Sequence, residues 1–250
     1  MMRTKTWKRS NRRSGFTLFE LVIAMGMFLV VSAAVFLLLN DAQVKLMGEQ
    51  NMVPVLQESR VAMDAMVRDI HRAGFPSPYE FPQSMVPDDP STAIAPNQNL
   101  FSVGFVGWPN QNCIVNGTCT LPNGFDLAME SKPDPPTTPV QWIEYQLVRA
   151  AGQTKSTLMR RQIQKDAAVG LAGAAPNWIP ILENVLNDPN NPADAIFTYP
   201  QCNSGVCPTA KQLQQVQINL RVQSYKADLQ TNQFRQISVI EVAQRMNPTP

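Results

Sequence analysis

The chain has 250 residues, of which 44% are hydrophobic and 16% are charged, so it can bury the core of one sizeable domain or two small ones. Its net charge is +2, but six basic residues fall in the first fifteen positions, namely Arg3, Lys5, Lys8, Arg9, Arg12 and Arg13. Without them the chain is net negative, which argues against a nucleic-acid-binding protein, because such proteins present a basic face.

The first predicted element is an apolar helix that starts directly after the basic residues. From Phe16 to Leu39 only Glu20 is charged, and these 24 residues can cross a hydrocarbon core of about 30 Å. The preceding positive charge predicts that the start of the chain stays in the cytoplasm and that the chain after Asn40 is periplasmic or extracellular. A carboxylate inside such a helix costs about 2.5 to 3.5 kcal/mol, so Glu20 should have a partner or a purpose.

The string Gly15-Phe16-Thr17-Leu18-Phe19-Glu20 follows the basic leader. It resembles the cleavage and methylation motif of type IV prepilins and type II secretion pseudopilins. The resemblance implies that prepilin peptidase cuts after Gly15, that Phe16 becomes the N-methylated amino terminus, and that Glu20, the fifth mature residue, acts in assembly. Two alternatives explain the motif less well: a secretory signal peptide ending at Val31-Ser32-Ala33, and a plain signal anchor for a soluble enzyme.

A polar, amphipathic helix is predicted to continue to Ala73, with an apolar stripe that we interpret as core-facing. Pro54 should bend this helix, and Gly74 followed by Pro76 should end it. The stretch from 59 to 75 closes as Asp-Ile-His-Arg-Ala-Gly-Phe. It resembles the helix end of minor pilins of the PilW type, and J-type minor pseudopilins carry a similar but less regular close.

The remainder is predicted to form a β-rich head. Twelve prolines between 76 and 139 indicate a loop-dominated segment with one short strand at 100–106. Strands are predicted at 140–148 and 156–163, joined by a turn at Gly152, and then at 178–185, 195–199, 213–222 and 235–243. The fold class is therefore α+β, with a long N-terminal helix, transmembrane in its first half, packed on an antiparallel β-sheet as in type IV pilins. The predicted segments are a leader (1–15), a transmembrane helix (16–39), the periplasmic half of the helix (40–73), a proline-rich loop region (74–139) and the head (140–250).

The four cysteines form two close pairs in sequence, Cys113 with Cys119 and Cys202 with Cys207. In an oxidising compartment two local disulfides are the natural assignment, although a crossed pairing stays open. Zinc binding is disfavoured because Cys-x-x-Cys spacing is absent. The Asn187–Asp194 loop offers oxygen ligands, and some pilin relatives bind calcium. However, the EF-hand spacing is missing and a solvated turn is the favoured interpretation.

The sequence predicts no active site, metal or cofactor. It lacks GxSxG, Walker and HExxH motifs, and its single histidine, His71, lies beside arginines rather than in a triad. The resemblance implies a minor pilin of a type IV pilus that is incorporated in, or primes, the tip complex. The alternatives are a J-type pseudopilin of type II secretion and a tip adhesin or DNA-uptake subunit.

The same resemblance implies the partners and the location. The expected partners are prepilin peptidase, other minor and major pilins, the inner membrane and the pilus assembly platform. The protein is expected to cross the inner membrane once with a periplasmic head, and then to reach the pilus or the cell surface.

Overall fold

The computed structural model describes residues 15–77, 80, 100–107, 121–132, 139–166, 170–174, 176–202, 213–228 and 231–246. The chain divides into two compact units between Met47 and Gly48. The first unit is helical, and the second combines a helix with a β-sheet.

Helix α1 spans Leu18–Gln50 and contains 33 residues, which gives a length of roughly 50 Å. Its sequence is dominated by Leu, Val and Ala and contains no proline, so the hydrogen-bond ladder is uninterrupted. Large apolar side chains are exposed along the helix, for example Phe28 and Leu37 at 70% each. The helix is long enough and apolar enough to cross a membrane, as predicted.

Helix α2 spans Val53–Arg72 and begins after a turn at Asn51–Met52. Pro54 lies in its first turn, where a missing backbone N–H removes no intrahelical hydrogen bond, so the helix restarts at the predicted interruption. The helix ends before Gly74, which has a φ of 89° that favours glycine. One stripe is buried, as predicted: Val55, Ser59, Ala62, Met63, Met66, Asp69 and Ile70.

A seven-stranded antiparallel sheet follows α2. Its strands are β1 (Asp126–Ser131), β2 (Gln141–Val148), β3 (Ser156–Gln164), β4 (Ile179–Val185), β5 (Phe197–Thr198), β6 (Gln215–Gln223) and β7 (Gln236–Gln244). The order is β1-β2-β3-β4-β6-β5, and β7 pairs with β6. The described structure thus has the predicted α+β class.

The strands predicted after residue 140 are confirmed with small shifts of their ends. β2 and β3 pair from Gln141 opposite Gln164 to Val148 opposite Thr157, and Gly152 takes a positive φ of 79° in their turn. In β6 the buried side chains alternate with partly exposed ones, which is the period of a strand with one buried face. The regular alternation of buried and partly exposed residues is what allows β6 to be predicted from the sequence.

The prediction for 74–139 was wrong in two respects. The segment contains strand β1, which the sequence analysis did not predict, while the predicted strand at 100–106 forms only an isolated bridge from Phe105 to Met129. All six residues of β1, Asp-Leu-Ala-Met-Glu-Ser, are buried, so the strand shows no polar and apolar alternation. Several of these residue types also favour helices over strands, so tertiary packing overrides local preference here.

The two faces of β1 and β2 belong to two different clusters. Leu127 and Tyr145 join the large cluster that includes the buried stripe of α2. Ala128 and Trp142 belong to a smaller cluster with Val106 and Leu171. We call the face of β1, β2 and β3 that contributes to the smaller cluster the second face of the sheet.

Candidate functional site

The start of α1 is the first candidate site, because it contains the predicted processing and assembly residues. Residues 15–17 are not helical, and α1 begins at Leu18. Phe16 is 87% exposed, and a side-chain carbon placed on Gly15 would have no atom within 4 Å. The backbone around Gly15 and Phe16 is therefore sterically open to another molecule.

Glu20 and Thr17 form a reciprocal hydrogen-bonded pair at this helix end. The Glu20 Oε2 accepts hydrogen bonds from the Thr17 backbone N–H and from its Oγ1, at 3.0 Å each. The Glu20 backbone N–H donates to Thr17 Oγ1 at 3.3 Å. This is a capping box, in which a Thr and a Glu three residues later satisfy otherwise unpaired backbone donors of the first turn.

The capping box gives Glu20 a partner within its own helix, which the sequence analysis missed although the Thr-x-x-Glu spacing is its known signature. Glu20 is exposed in the described structure, so its carboxylate is also accessible to groups from outside the chain. A carboxylate in the first turn is further stabilised by the helix dipole. The arrangement can therefore fix where the helix begins and present a negative charge near Phe16.

The second candidate site attaches α2 to the sheet. Tyr145 Oη donates to Asp69 Oδ2 at 2.5 Å, and Arg160 Nη2 donates to the same oxygen at 2.9 Å. Arg160 Nε also donates to Tyr145 Oη at 3.1 Å. Burial, followed by the charge of Asp69, raises the pKa of Tyr145, so the phenol stays protonated as a donor. Three elements, α2, β2 and β3, are joined at one carboxylate.

The end of α2 is fixed by a second set of polar contacts. The Gly74 backbone N–H donates to the Glu130 carbonyl at 3.0 Å and to Ser102 Oγ at 3.1 Å. Ser102 Oγ donates in turn to the Glu130 carbonyl at 2.6 Å. The Asp-x-x-x-Ala-Gly stretch seen in the sequence thus supplies both a buried anion and the backbone donor that meets β1.

The second face of the sheet contains buried ion pairs that the sequence analysis did not anticipate. Glu130 accepts from Lys165 Nζ at 2.8 Å and from Trp142 Nε1 at 3.0 Å. Glu144 forms an ion pair with Arg161, whose guanidinium also lies 4.7 Å from the centre of the Trp178 ring. Buried ions of this kind persist only when they are paired, so these pairs connect β1 and β2 to β3 and the residue that follows it.

The predicted cysteine pairs fall mostly outside the described residues. Cys113, Cys119 and Cys207 lie outside, and Cys202, in the turn after β5, is disulfide-bonded. The pairing itself therefore stays a prediction.

The oxygens of the Asn187–Asp194 loop accept hydrogen bonds and ion pairs from the protein itself. Asn187 Oδ1 accepts from the Arg221 backbone N–H at 2.8 Å, and its amide donates to the Asp194 carbonyl at 2.9 Å. Asp188 forms an ion pair with Arg149, and Asp194 forms one with Arg221. The polar side chains of Asn187, Asp188 and Asp194 therefore have partners within the protein, as expected for a structural turn. In the described part of the chain, no group of three His, Cys, Asp or Glu residues is placed to hold a metal ion.

His71 lies at the end of α2, as its sequence position implies. Its backbone carbonyl accepts from the Met246 N–H at 3.2 Å. The residue lines a cavity of about 650 Å³ together with Gln214, Gln244, Arg245 and Met246. The described residues of this lining include no nucleophile and no carboxylate.

Comparison with known proteins agrees with the geometry of the first site. The family model for the prokaryotic N-terminal methylation motif matches residues 10–36. Comparisons with curated proteins and with solved structures give no significant match.

The matched residues contain Gly15, Phe16 and Glu20 and the first part of α1. The motif supports a type IV pilin-like or pseudopilin-like prepilin, and the α+β fold is consistent with one. The motif implies processing by prepilin peptidase and assembly with other pilins, and with the apolar α1 it indicates membrane anchoring. Proteins with this motif act as structural subunits rather than as enzymes.

Proposed function

We propose that the chain is a minor pilin of a type IV pilus, of the PilW type, which is incorporated in or primes the tip complex and supports pilus assembly. The observation that carries the proposal is the position of Glu20. Its carboxylate reaches back to the Thr17 backbone N–H, one residue beyond the expected new amino terminus at Phe16.

Cleavage after Gly15 supplies the charge that Glu20 requires. Hydrolysis of the Gly15–Phe16 peptide bond produces a free amino group on Phe16, which is protonated near neutral pH. Opposite charges a few ångströms apart attract strongly in a low-dielectric environment, whereas either charge alone is penalised there. The Phe16 amine, from the same or a neighbouring subunit, is therefore the partner that we assign to Glu20 during assembly.

The exposed apolar surface of α1 supports the same role. Side chains such as Phe19 and Leu38 are 73% and 72% exposed, so the helix needs lipid or other helices around it. Lipid provides this environment before assembly, and the helices of neighbouring pilins provide it in a filament. A minor pilin passes from one environment to the other, which suits a helix that is apolar on all sides.

The test compares Glu20→Ala with two matched variants in the native host. Glu20→Ala should be inserted and cleaved after Gly15, yet fail to co-purify with partner pilins and lower the number of pili, because the counter-charge for Phe16 is gone. Thr17→Ala removes the hydroxyl contacts of the capping box but keeps the Glu20 carboxylate and the backbone N–H at position 17, so it separates side-chain capping from charge pairing. Glu49→Ala removes an exposed carboxylate from the same helix outside the apolar stretch and should assemble normally.

Mass spectrometry and phenotype complete the test. The mature chain should begin at Phe16, and a chain beginning at Ala34 would contradict the pilin assignment. Loss of the gene should abolish twitching rather than release of exported proteins. The opposite phenotype would assign the chain to a type II secretion system as a J-type pseudopilin. Normal piliation with Glu20→Ala would remove the role proposed for the charge.

A further inference from the structure

A pair of buried carboxyl groups on the second face of the sheet is not used by the proposed assembly role. Asp126 on β1 is 4% exposed, and Glu144 on β2 is 0% exposed. Asp126 lies opposite Gln146, and Glu144 lies opposite Ala128, so the two carboxyl side chains are diagonal neighbours. Diagonal neighbours on one face of an antiparallel pair are within reach when a side chain is long, as that of Glu144 is, and the Asp126 carboxyl interacts directly with that of Glu144.

Each of these two carboxyl groups has one oxygen that accepts a hydrogen bond and one that accepts none from the described residues. Glu144 Oε2 accepts from Arg161, and Asp126 Oδ2 accepts from Gln146 Nε2 at 3.4 Å. The other two oxygens, Asp126 Oδ1 and Glu144 Oε1, are buried and accept no hydrogen bond from the described residues. Buried polar atoms are nearly always satisfied in folded proteins, so a matched pair of unsatisfied oxygens requires an explanation.

We propose that one proton is bound between Asp126 and Glu144, and that this shared proton fastens strand β1 to the sheet. A protonated Asp126 donates its O–H to the Glu144 carboxylate, so a single proton satisfies both oxygens. No further group is required, because Glu144 keeps its ion pair with Arg161.

The charges around the pair agree with one bound proton. The only charged partner facing the two carboxyls from β3 is Arg161, which balances one anion. From the chain after β5, Tyr199 faces Asp126, and burial raises the pKa of this phenol well above its usual value, so it stays neutral. The other carboxylate of the second face, Glu130, is paired with Lys165. The second carboxyl of the pair has no such counter-charge among these groups, so it avoids being a buried, uncompensated anion by binding a proton.

The titration of Asp126 has a defined sign. Burial, followed by the charge of Glu144, raises its pKa from 3.8 to about 8. The folded state therefore binds this proton more tightly than the unfolded state, and the stabilisation is complete below a pH of about 4. This stabilisation decreases as the pH rises from about 4 to about 8, and it is lost above about 8. β1 is the last strand at its end of the strand order, so alkaline pH should weaken the sheet at that end.

The experiment uses the full chain in detergent micelles and hydrogen exchange at the amides of β1. Asp126→Asn replaces the shared proton with a permanent amide donor, so it keeps the hydrogen bond without titrating. Glu241→Gln is the control, because it makes the same carboxyl-to-amide replacement at an exposed position of β7, away from the pair. Wild type and variants are compared at the same pH, so that intrinsic exchange rates cancel.

Protection of β1 in the wild type, relative to Asp126→Asn, should fall by about tenfold per pH unit between roughly pH 5 and 7, as expected for one linked proton. Glu241→Gln should follow the wild type. A protection ratio that does not change with pH would overturn the proposal.

A second measurement decides the matter if Asp126→Asn does not fold. The ¹³C signal of the Asp126 carboxyl, assigned through its own backbone in the wild-type chain, should titrate above neutral pH. A midpoint near 3.8, the ordinary aspartate value, would contradict the shared proton. Calcium that restores β1 protection at alkaline pH would also overturn it, because the pair would then hold a metal ion rather than a proton.

Discussion

At the scale of single residues, Asp69 carries more structural weight than its position near the end of a helix suggests. Its Oδ2 receives Tyr145 from β2 and Arg160 from β3, which are 76 and 91 residues away in sequence. The Asp69 side chain is 10% exposed and that of Arg160 is 24% exposed, so both charges depend on each other for compensation.

We predict that Asp69→Ala destabilises the head by about 1.5 to 3 kcal/mol, the range for losing a hydrogen bond to a charged group. The variant leaves the Arg160 guanidinium without its counter-charge and the Tyr145 hydroxyl without its acceptor. Thermal unfolding followed by fluorescence of the buried Trp142 measures the effect. The control is Asp64→Ala on the exposed side of α2, which should change stability by no more than about 0.5 kcal/mol. Equal effects of the two variants would show that the Asp69 contacts contribute nothing specific.

At the scale of elements, a helix or strand can be predicted when its apolar residues repeat with the period of that element. β6 alternates buried Val216, Ile218 and Leu220 with partly exposed residues, and α2 repeats its buried positions at three and four residues, so both are readable. β1 is buried on both faces and contains helix-favouring residues, so neither period nor propensity reveals it.

The candidate sites follow the same division. The site at the start of α1 can be predicted because its residues are adjacent in sequence. The capping box from Thr17 to Glu20 was missed, but it also has a local sequence signature. The ion pairs of Asp69 with Arg160 and of Glu130 with Lys165 depend on strand register, which brings together residues far apart in the chain. A single sequence does not contain that register, so these pairs could not be predicted.

The segments that contain the four cysteines belong to this scale as well. We predict that oxidised protein contains disulfides joining Cys113 to Cys119 and Cys202 to Cys207, because closing a short loop costs the least chain entropy. Peptide mapping under non-reducing conditions identifies the pairs. Replacing either pair with serine should lower stability by roughly 2 to 3 kcal/mol without changing membrane insertion or cleavage after Gly15. Peptides that join Cys113 or Cys119 to Cys202 or Cys207 would establish the crossed pairing instead.

At the scale of the whole molecule, the division between Met47 and Gly48 separates two kinds of stabilisation. The first unit exposes its apolar side chains and depends on what surrounds it. The second unit has its own core, to which α2 contributes Val55, Met63, Met66 and Ile70, all 2% exposed or less. The helix after Gly48 is therefore part of the head in energetic terms, although its sequence continues the pattern of a long N-terminal helix.

This division predicts the outcome of two truncations. A chain beginning at Gly48, exported to an oxidising compartment, should be soluble and should unfold cooperatively, because it keeps every buried residue of α2 and the ion pair at Asp69. A chain beginning at Gly74 should aggregate or remain unfolded. It lacks four large apolar core side chains worth about 1.5 to 3 kcal/mol each, and their sum of about 6 to 12 kcal/mol is comparable to the whole stability of a domain, roughly 5 to 15 kcal/mol. Circular dichroism and size-exclusion chromatography distinguish the two results. A folded, monomeric chain from Gly74 onward would show that α2 is dispensable for the head, and an insoluble chain from Gly48 onward would show that α1 is required for it.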